Sequence, residues 1–183
     1  MSRKLYKITT TLEEHPDFTA RLKKRTNEIY SFFSFNQGDV EKMKNTKIDF
    51  EAGAGYTVKN IEKTDYINCS PPLLFSERFV EKIGNQLSDE MEFFPCNLIC
   101  QGISLNWYAA RIIRKMSIID KVTSTYSILS EGEKVIRIAN YRKDIEEHFY
   151  IARDEENIPY WVVSEYFMDL CKENGLLIRF KEV

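Results

Sequence analysis

One segment of this chain occurs twice. Residues 73–83 read Leu-Leu-Phe-Ser-Glu-Arg-Phe-Val-Glu-Lys-Ile, and residues 161–171 read Trp-Val-Val-Ser-Glu-Tyr-Phe-Met-Asp-Leu-Cys. Ser76, Glu77 and Phe79 align with Ser164, Glu165 and Phe167, and the flanking apolar positions agree in kind. In each copy three consecutive apolar residues suit a strand buried on both faces. The serine that follows is placed to accept a hydrogen bond from a first-turn amide, and the glutamate sits where a helix dipole favours negative charge. Phe79, Val80, Ile83 and Leu87 then recur at helical spacing, as do Phe167, Met168 and Cys171. Asn174-Gly175 supplies a helix stop. Each copy runs on to a second apolar stretch, Glu92-Phe93-Phe94-Pro95 or Leu177-Ile178-Arg179-Phe180. Two strand–helix–strand units are therefore predicted within a pseudo-symmetric α+β fold, with a mixed, largely antiparallel sheet and helices packed on it. Two copies so far apart are no solenoid array.

The length of 183 residues allows one domain with a proper core, or two small lobes. Hydrophobic residues make up 43%, which argues for a globular fold and against disorder. No apolar run approaches the roughly 18 residues of a membrane span. The start, Met1-Ser2-Arg3-Lys4-Leu5-Tyr6-Lys7, lacks the apolar stretch of a secretory signal, so a cytoplasmic protein is expected. The formal charge of −2 argues against a dedicated nucleic-acid binder, which needs a basic surface. Cys69, Cys96, Cys100 and Cys171 lie in apolar contexts and are expected as reduced thiols. Cys96 and Cys100 have no partner pair at zinc spacing, so neither a metal nor a cofactor is expected.

Along the chain, Leu5 to Thr11 reads as a strand. Pro16-Asp17 is expected to open a helix covering Phe18, Leu22, Ile29 and Phe32-Phe33, whose wet face would carry Arg21, Lys23, Lys24 and Arg25. Asn36-Gln37-Gly38-Asp39 reads as a turn, Ile48 to Glu51 as a half-exposed strand, and Tyr56-Thr57-Val58 as another short strand. Pro71-Pro72 forces extended chain and marks a boundary between a less patterned region, 1–70, and a better patterned one, 71–183. Trp107 to Ile119 fits either a helix or a strand followed by a turn. Val135 to Ile138 and His148 to Ile151 read as strands. Asp154 to Asn157 then turns the chain into Tyr160 to Val163, which predicts an antiparallel hairpin.

Few residues suggest chemistry. Gly53-Ala54-Gly55 lacks the third glycine of a dinucleotide fingerprint and reads as a turn. The two serines are explained by capping and have no histidine nearby in sequence. His148 beside Glu146 and Glu147 leaves open a hydrolase-like enzyme using a His–carboxylate pair. The densest feature is acidic: Asp144, Glu146, Glu147, Asp154, Glu155 and Glu156 fall within 13 residues. Such a run serves either as solvated loops or as a surface that meets a basic protein partner. A protein-binding regulatory module is the third class that these features admit.

Residues 71–183 also resemble a known family, first catalogued as a domain of unknown function and later grouped with the immunity proteins of bacterial polymorphic toxin systems. The resemblance rests on Leu73 to Phe79, Glu92-Phe93-Phe94-Pro95, and Asn106-Trp107-Tyr108 through Met116 to Lys121 with Ser124. It continues in Trp161 to Glu165 and in Gly175-Leu176 through Phe180. The motifs stand in the family's order. Arg111, Arg114 and Lys115 depart from it, falling where mostly neutral residues are expected. The resemblance implies a non-enzymatic protein that binds and blocks a cognate toxin domain made in the same cell. It supplies no catalytic residue, and the 144–156 carboxylates are the candidate partner-binding residues.

Overall fold

The two copies of the repeat form the same local structure in different sheets. The computed structural model describes residues 4–24, 26–69 and 71–183. The chain begins with β1 (Leu5–Thr9), a single 3-10 turn at Pro16–Phe18, and β2 (Ala20–Leu22). There follow α1 (Asn27–Phe35), α2 (Val40–Lys44), β3 (Asp49–Ala52), α3 (Val58–Ile61) and β4 (Tyr66–Ile67). The first copy of the repeat is β5 (Leu73–Ser76) and α4 (Glu77–Ile83), continuing into β6 (Met91–Cys100) and back along β7 (Ile103–Ile112). After β8 (Lys115–Met116), β9 (Thr125–Ile128), β10 (Lys134–Ile138) and β11 (Ile151–Asp154) comes the second copy. It forms β12 (Trp161–Ser164) and α5 (Glu165–Glu173), followed by β13 (Arg179–Glu182). Among the described residues no helix is long and apolar enough to cross a membrane.

The strands make a six-stranded sheet, β2-β3-β6-β7-β5-β4, and a five-stranded sheet, β13-β1-β12-β11-β8. Among the described residues, strands β9 and β10 pair only with each other. Every pairing is antiparallel except β3 with β6 and β8 with β11, so the fold is α+β with mixed, mostly antiparallel sheets. The likeness of the two copies extends beyond the repeated residues. The order β6-β7-β5-β4 in one sheet matches β13-β1-β12-β11 in the other. In each, the strands before and after the helix run parallel with one antiparallel strand inserted between them, β7 or β1. Each unit is thus a split β–α–β motif. Residues 1–70 enter both sheets: β1 is the inserted strand of the second unit, and β2, β3 and β4 belong to the other sheet. Strands β4 and β5 pair across Pro71-Pro72, a cis peptide.

Side-chain alternation along these strands sorts the core into layers. The central layer lies between the sheets. It takes Leu73 and Phe75 from β5, Ile151 and Val163 from the other sheet, and Phe79, Ile83, Phe167 and Cys171 from the two helices. The opposite face of β5 sends Leu74 into a second layer under α1 to α3, with Phe32, Phe50, Phe94 and Trp107. The opposite face of β12 sends Val162 into a third, with Leu5, Ile118, Ile119 and Phe149. The apolar runs Leu73-Leu74-Phe75 and Trp161-Val162-Val163 are continuous because both faces of each strand are covered.

The serines cap as expected. Ser76 Oγ accepts from Phe79 N at 3.1 Å, and Ser164 Oγ accepts from Phe167 N at 3.4 Å. Each hydroxyl also donates, to the Asp65 carboxylate and to Phe149 O respectively. Two buried carboxylates tie the units together. Asp65, just before β4, accepts from Leu177 N at 2.6 Å and pairs with Arg78 at 2.7 Å. Glu90, just before β6, accepts from the amides of Tyr150 and Ile151 at 2.7 Å each.

Four expectations about local structure are corrected. No helix runs through Phe18 and Leu22; Ala20–Leu22 pairs with β3, and the helix begins after Thr26, whose hydroxyl accepts from Ile29 N at 3.2 Å. The strand pairing claims the amides a helix would need. The basic run is therefore not a helix face: Arg21 lies on β2 against Glu51, Lys23 and Lys24 follow in a bend, and Arg25 lies outside the described residues. Tyr56-Thr57-Val58 is no strand, because Thr57 and Asn60 form a reciprocal capping box for α3. The strand expected at His148 begins at Ile151 instead, since Glu90 holds the amides of Tyr150 and Ile151. Of the two readings for Trp107 to Ile119, the strand is found: Trp107 to Ile112 belongs to β7.

Candidate functional site

The six carboxylates singled out in the 144–156 stretch have different surroundings. Asp154 is buried, with 2% of its surface exposed. Its Oδ2 accepts from the amides of Ile118 and Ile119, both at 3.1 Å. Its Oδ1 accepts from Glu156 N, Asn157 N and Asn157 Nδ2 at 3.2, 2.8 and 3.0 Å. Burial pushes this carboxyl up, but the Asn157 side chain and the Asn157, Ile118 and Ile119 amides outweigh it and hold it below the usual aspartate range. Asp154 is thus a corner post of the fold and is removed from the partner-binding set: a carboxylate with five protein donors has no face left for a partner.

The other five are exposed, and three of them are neutralised locally. Asp144 takes Arg142 in a two-pronged pair at 3.0 Å and is held low by it. Glu147 pairs with Arg114, and Glu156 with Lys121. Glu146 and Glu155 carry no ion pair with any described residue. The region is therefore a mixed-charge network and not a bare acidic patch. Among the described residues His148 forms no ion pair with Glu146 or Glu147. Its ring packs at 4.1 Å from that of Tyr166 and 5.1 Å from that of Tyr150, while Glu147 turns to Arg114.

Beside these charges an open cleft of about 1170 Å³ is lined by Asp120, Lys121, Tyr141, Arg142, Asp144 and Val183, among others. Asp120 is held low chiefly by the Thr123 hydroxyl, then by the amides of Val122 and Thr123. Asp120, Asp144 and Glu155 all act on Arg142. The β9–β10 hairpin rises from the rim of the cleft. Its base is fixed where Ile119 bridges Tyr141, Asp120 N donates to Asn140 O at 2.8 Å, and Asn140 N donates to Ser124 Oγ at 2.9 Å. Its tip turns at Gly132, where φ is +82°. Ile136 packs on the third core layer. Beyond Ile136 the hairpin exposes several apolar side chains: Ile128 is 77% exposed, Ile138 56% and Leu129 47%, with Val122 at the base 92% exposed.

Sequence patterning passed over two cations within the fold, the half-buried Lys7 and the buried Arg153. Lys7 on β1 donates to Trp161 O and lies 4.3 Å from the centre of the Trp161 ring; burial lowers its pKa to about 8. Arg153, on β11 beside Asp154, donates to the carbonyls of Ser34 and Phe33 at the end of α1, at 2.9 and 3.3 Å. The available signal was a lone cation inside each apolar strand, Leu5-Tyr6-Lys7-Ile8 and Ile151-Ala152-Arg153. Arg111 pairs with Glu92 directly across the β6–β7 ladder at 2.6 Å and stacks 4.1 Å from the Phe32 ring centre. Among the described residues no group of three or more His, Cys, Asp or Glu side chains is placed to hold a metal ion.

No family model matches this chain, and no curated protein matches it.

Proposed function

We propose that this chain is an immunity protein that binds a cognate bacterial toxin domain and blocks it without chemistry of its own. The observation that carries the reading is the outward-facing apolar content of the hairpin. Among the described residues, four of the seven exposed large hydrophobics, Val122, Ile128, Leu129 and Ile138, lie in this one stretch. Exposed large apolar side chains gathered beside polar groups are common in protein–protein contacts. The polar groups of the adjoining cleft include Asp120, Lys121, Arg142 and Asp144, with Glu156 paired to Lys121 and Glu155 acting on Arg142. The resemblance of residues 71–183 to the immunity family supports the same reading. A toxin that acts on nucleic acid must present positive charge, and Glu155 lies beside the hairpin cleft without an ion pair to oppose it.

The surface is tested by binding kinetics with a cognate toxin domain, to be sought in the gene immediately upstream. Ile128→Asp combined with Leu129→Asp should raise the dissociation rate by at least about tenfold, the effect of losing central apolar anchors. Asp144→Lys, Glu155→Lys and Glu156→Lys together should slow association and flatten its salt dependence. All five positions are exposed, so the fold should survive both sets. Wild-type kinetics in both variants would place the contact elsewhere on the protein.

A further inference from the structure

A cavity of about 170 Å³ lies between the end of α1, Pro71-Pro72, β7 and the β11–β12 turn, away from the hairpin. Its wall is largely apolar, with Phe33, Phe35, Leu73, Ile112, Ile158 and Trp161 among the lining residues. Among the described residues one charged side chain lines it, Arg153, which is 95% buried. A guanidinium has five N–H donors. Two of these reach acceptors, Ser34 O and Phe33 O, and the buried Nε has none. No described carboxylate pairs with it. The residues outside the described set, Met1, Ser2, Arg3, Arg25 and Ser70, include no acid side chain. The charge that acts on Arg153 is Arg111, of like sign and already taken by Glu92. The carbonyl end of α1 offsets part of the charge through the helix dipole. It leaves three donors and most of a buried positive charge unmatched, a condition that folded proteins relieve with an anion.

We propose that this cavity is a binding site for a small organic carboxylate, its anionic group on Arg153 and its compact apolar body against Phe33, Ile112 and Trp161. The size fits: an apolar cavity of about 150 Å³ accepts a benzene ring. An inorganic anion would leave the apolar wall unused, and a neutral hydrocarbon would leave the guanidinium unmatched.

The experiment is calorimetric titration of the full chain with sodium benzoate and with benzamide, which share a shape and differ in charge. One benzoate should bind per chain, with benzamide at least about tenfold weaker, as a charge-assisted hydrogen bond requires. Benzoate should also slow alkylation of Cys69, which lines the cavity. Arg153→Met should abolish the preference for benzoate. Because Arg153 also holds α1, a second variant separates binding from folding: Ile158→Trp fills the cavity from the turn and should abolish binding in a chain with unchanged circular dichroism. Equal affinity for the two probes, no benzoate binding by the wild-type chain at about 20 mM, or retained binding in Ile158→Trp would overturn the proposal.

Discussion

Asp154→Ala should destabilise the protein by about 4 kcal/mol or more, because it strands buried donors that each cost roughly 1–3 kcal/mol when unmet. Five donors converge on this carboxylate, from Ile118, Ile119, Glu156 and Asn157. They hold together β11, the turn into β12 and the chain entering the hairpin, so the loss should appear as global unfolding and not as local fraying. Glu155→Ala, one residue along and exposed, should change stability by less than about 0.5 kcal/mol. The pH dependence follows from the lowered pKa. A depressed aspartate contributes stability that is complete above its unfolded value of about 4 and is lost as pH falls through the folded value. The gap between wild type and Asp154→Asn in urea melts should therefore be wide at pH 7 and should shrink in acid. A gap independent of pH would mean that the carboxylate's charge contributes nothing.

Phe79→Ala and Phe167→Ala should each cost about 3–5 kcal/mol, since each empties a fully packed site. The two rings come from the two copies of the repeat and lie 6.1 Å apart in the layer between the sheets. Phe79 also reaches Phe75 and Phe93, and Phe167 reaches Phe180. Because the cavities would merge, the double mutant should depart from the sum of the singles by about 0.5–1.5 kcal/mol. Losses below about 1 kcal/mol for both singles would mean that these helices do not build the central core.

The repeat was legible because its signals are local. A capping serine, a first-turn glutamate and apolar residues at helical spacing all lie within eleven residues of each other. They foretold both helices, both preceding strands and the burial of Phe79, Ile83, Val163 and Phe167. What stands between the strands of each unit was not legible. Nothing in Leu5 to Thr9 says that it enters beside Trp161 to Ser164, since that choice is made by contacts across more than 150 residues. The same limit affected the site. Asp154 and Glu155 are neighbours in one acidic run, yet one is a buried acceptor and the other faces water. That difference depends on where the amides of Ile118 and Ile119 arrive, which no local pattern carries. Arg153 was hidden likewise: with both faces of β11 covered, alternation cannot say which residues point inward. The outward-facing hairpin was half visible. Val135 to Ile138 read as a strand, but the lack of a third strand beside it is a fact of topology alone.

The proposal that the protein works by occupying a toxin domain is tested most directly by co-expression with a cognate toxin domain, to be sought in the gene immediately upstream. The wild-type chain should restore growth of cells making that domain and should co-purify with it as a stoichiometric complex. Ile128→Asp with Leu129→Asp should lose both effects while the isolated protein melts as the wild type does. Cells that still die in the presence of abundant, folded wild-type protein, with no complex recovered, would contradict the account.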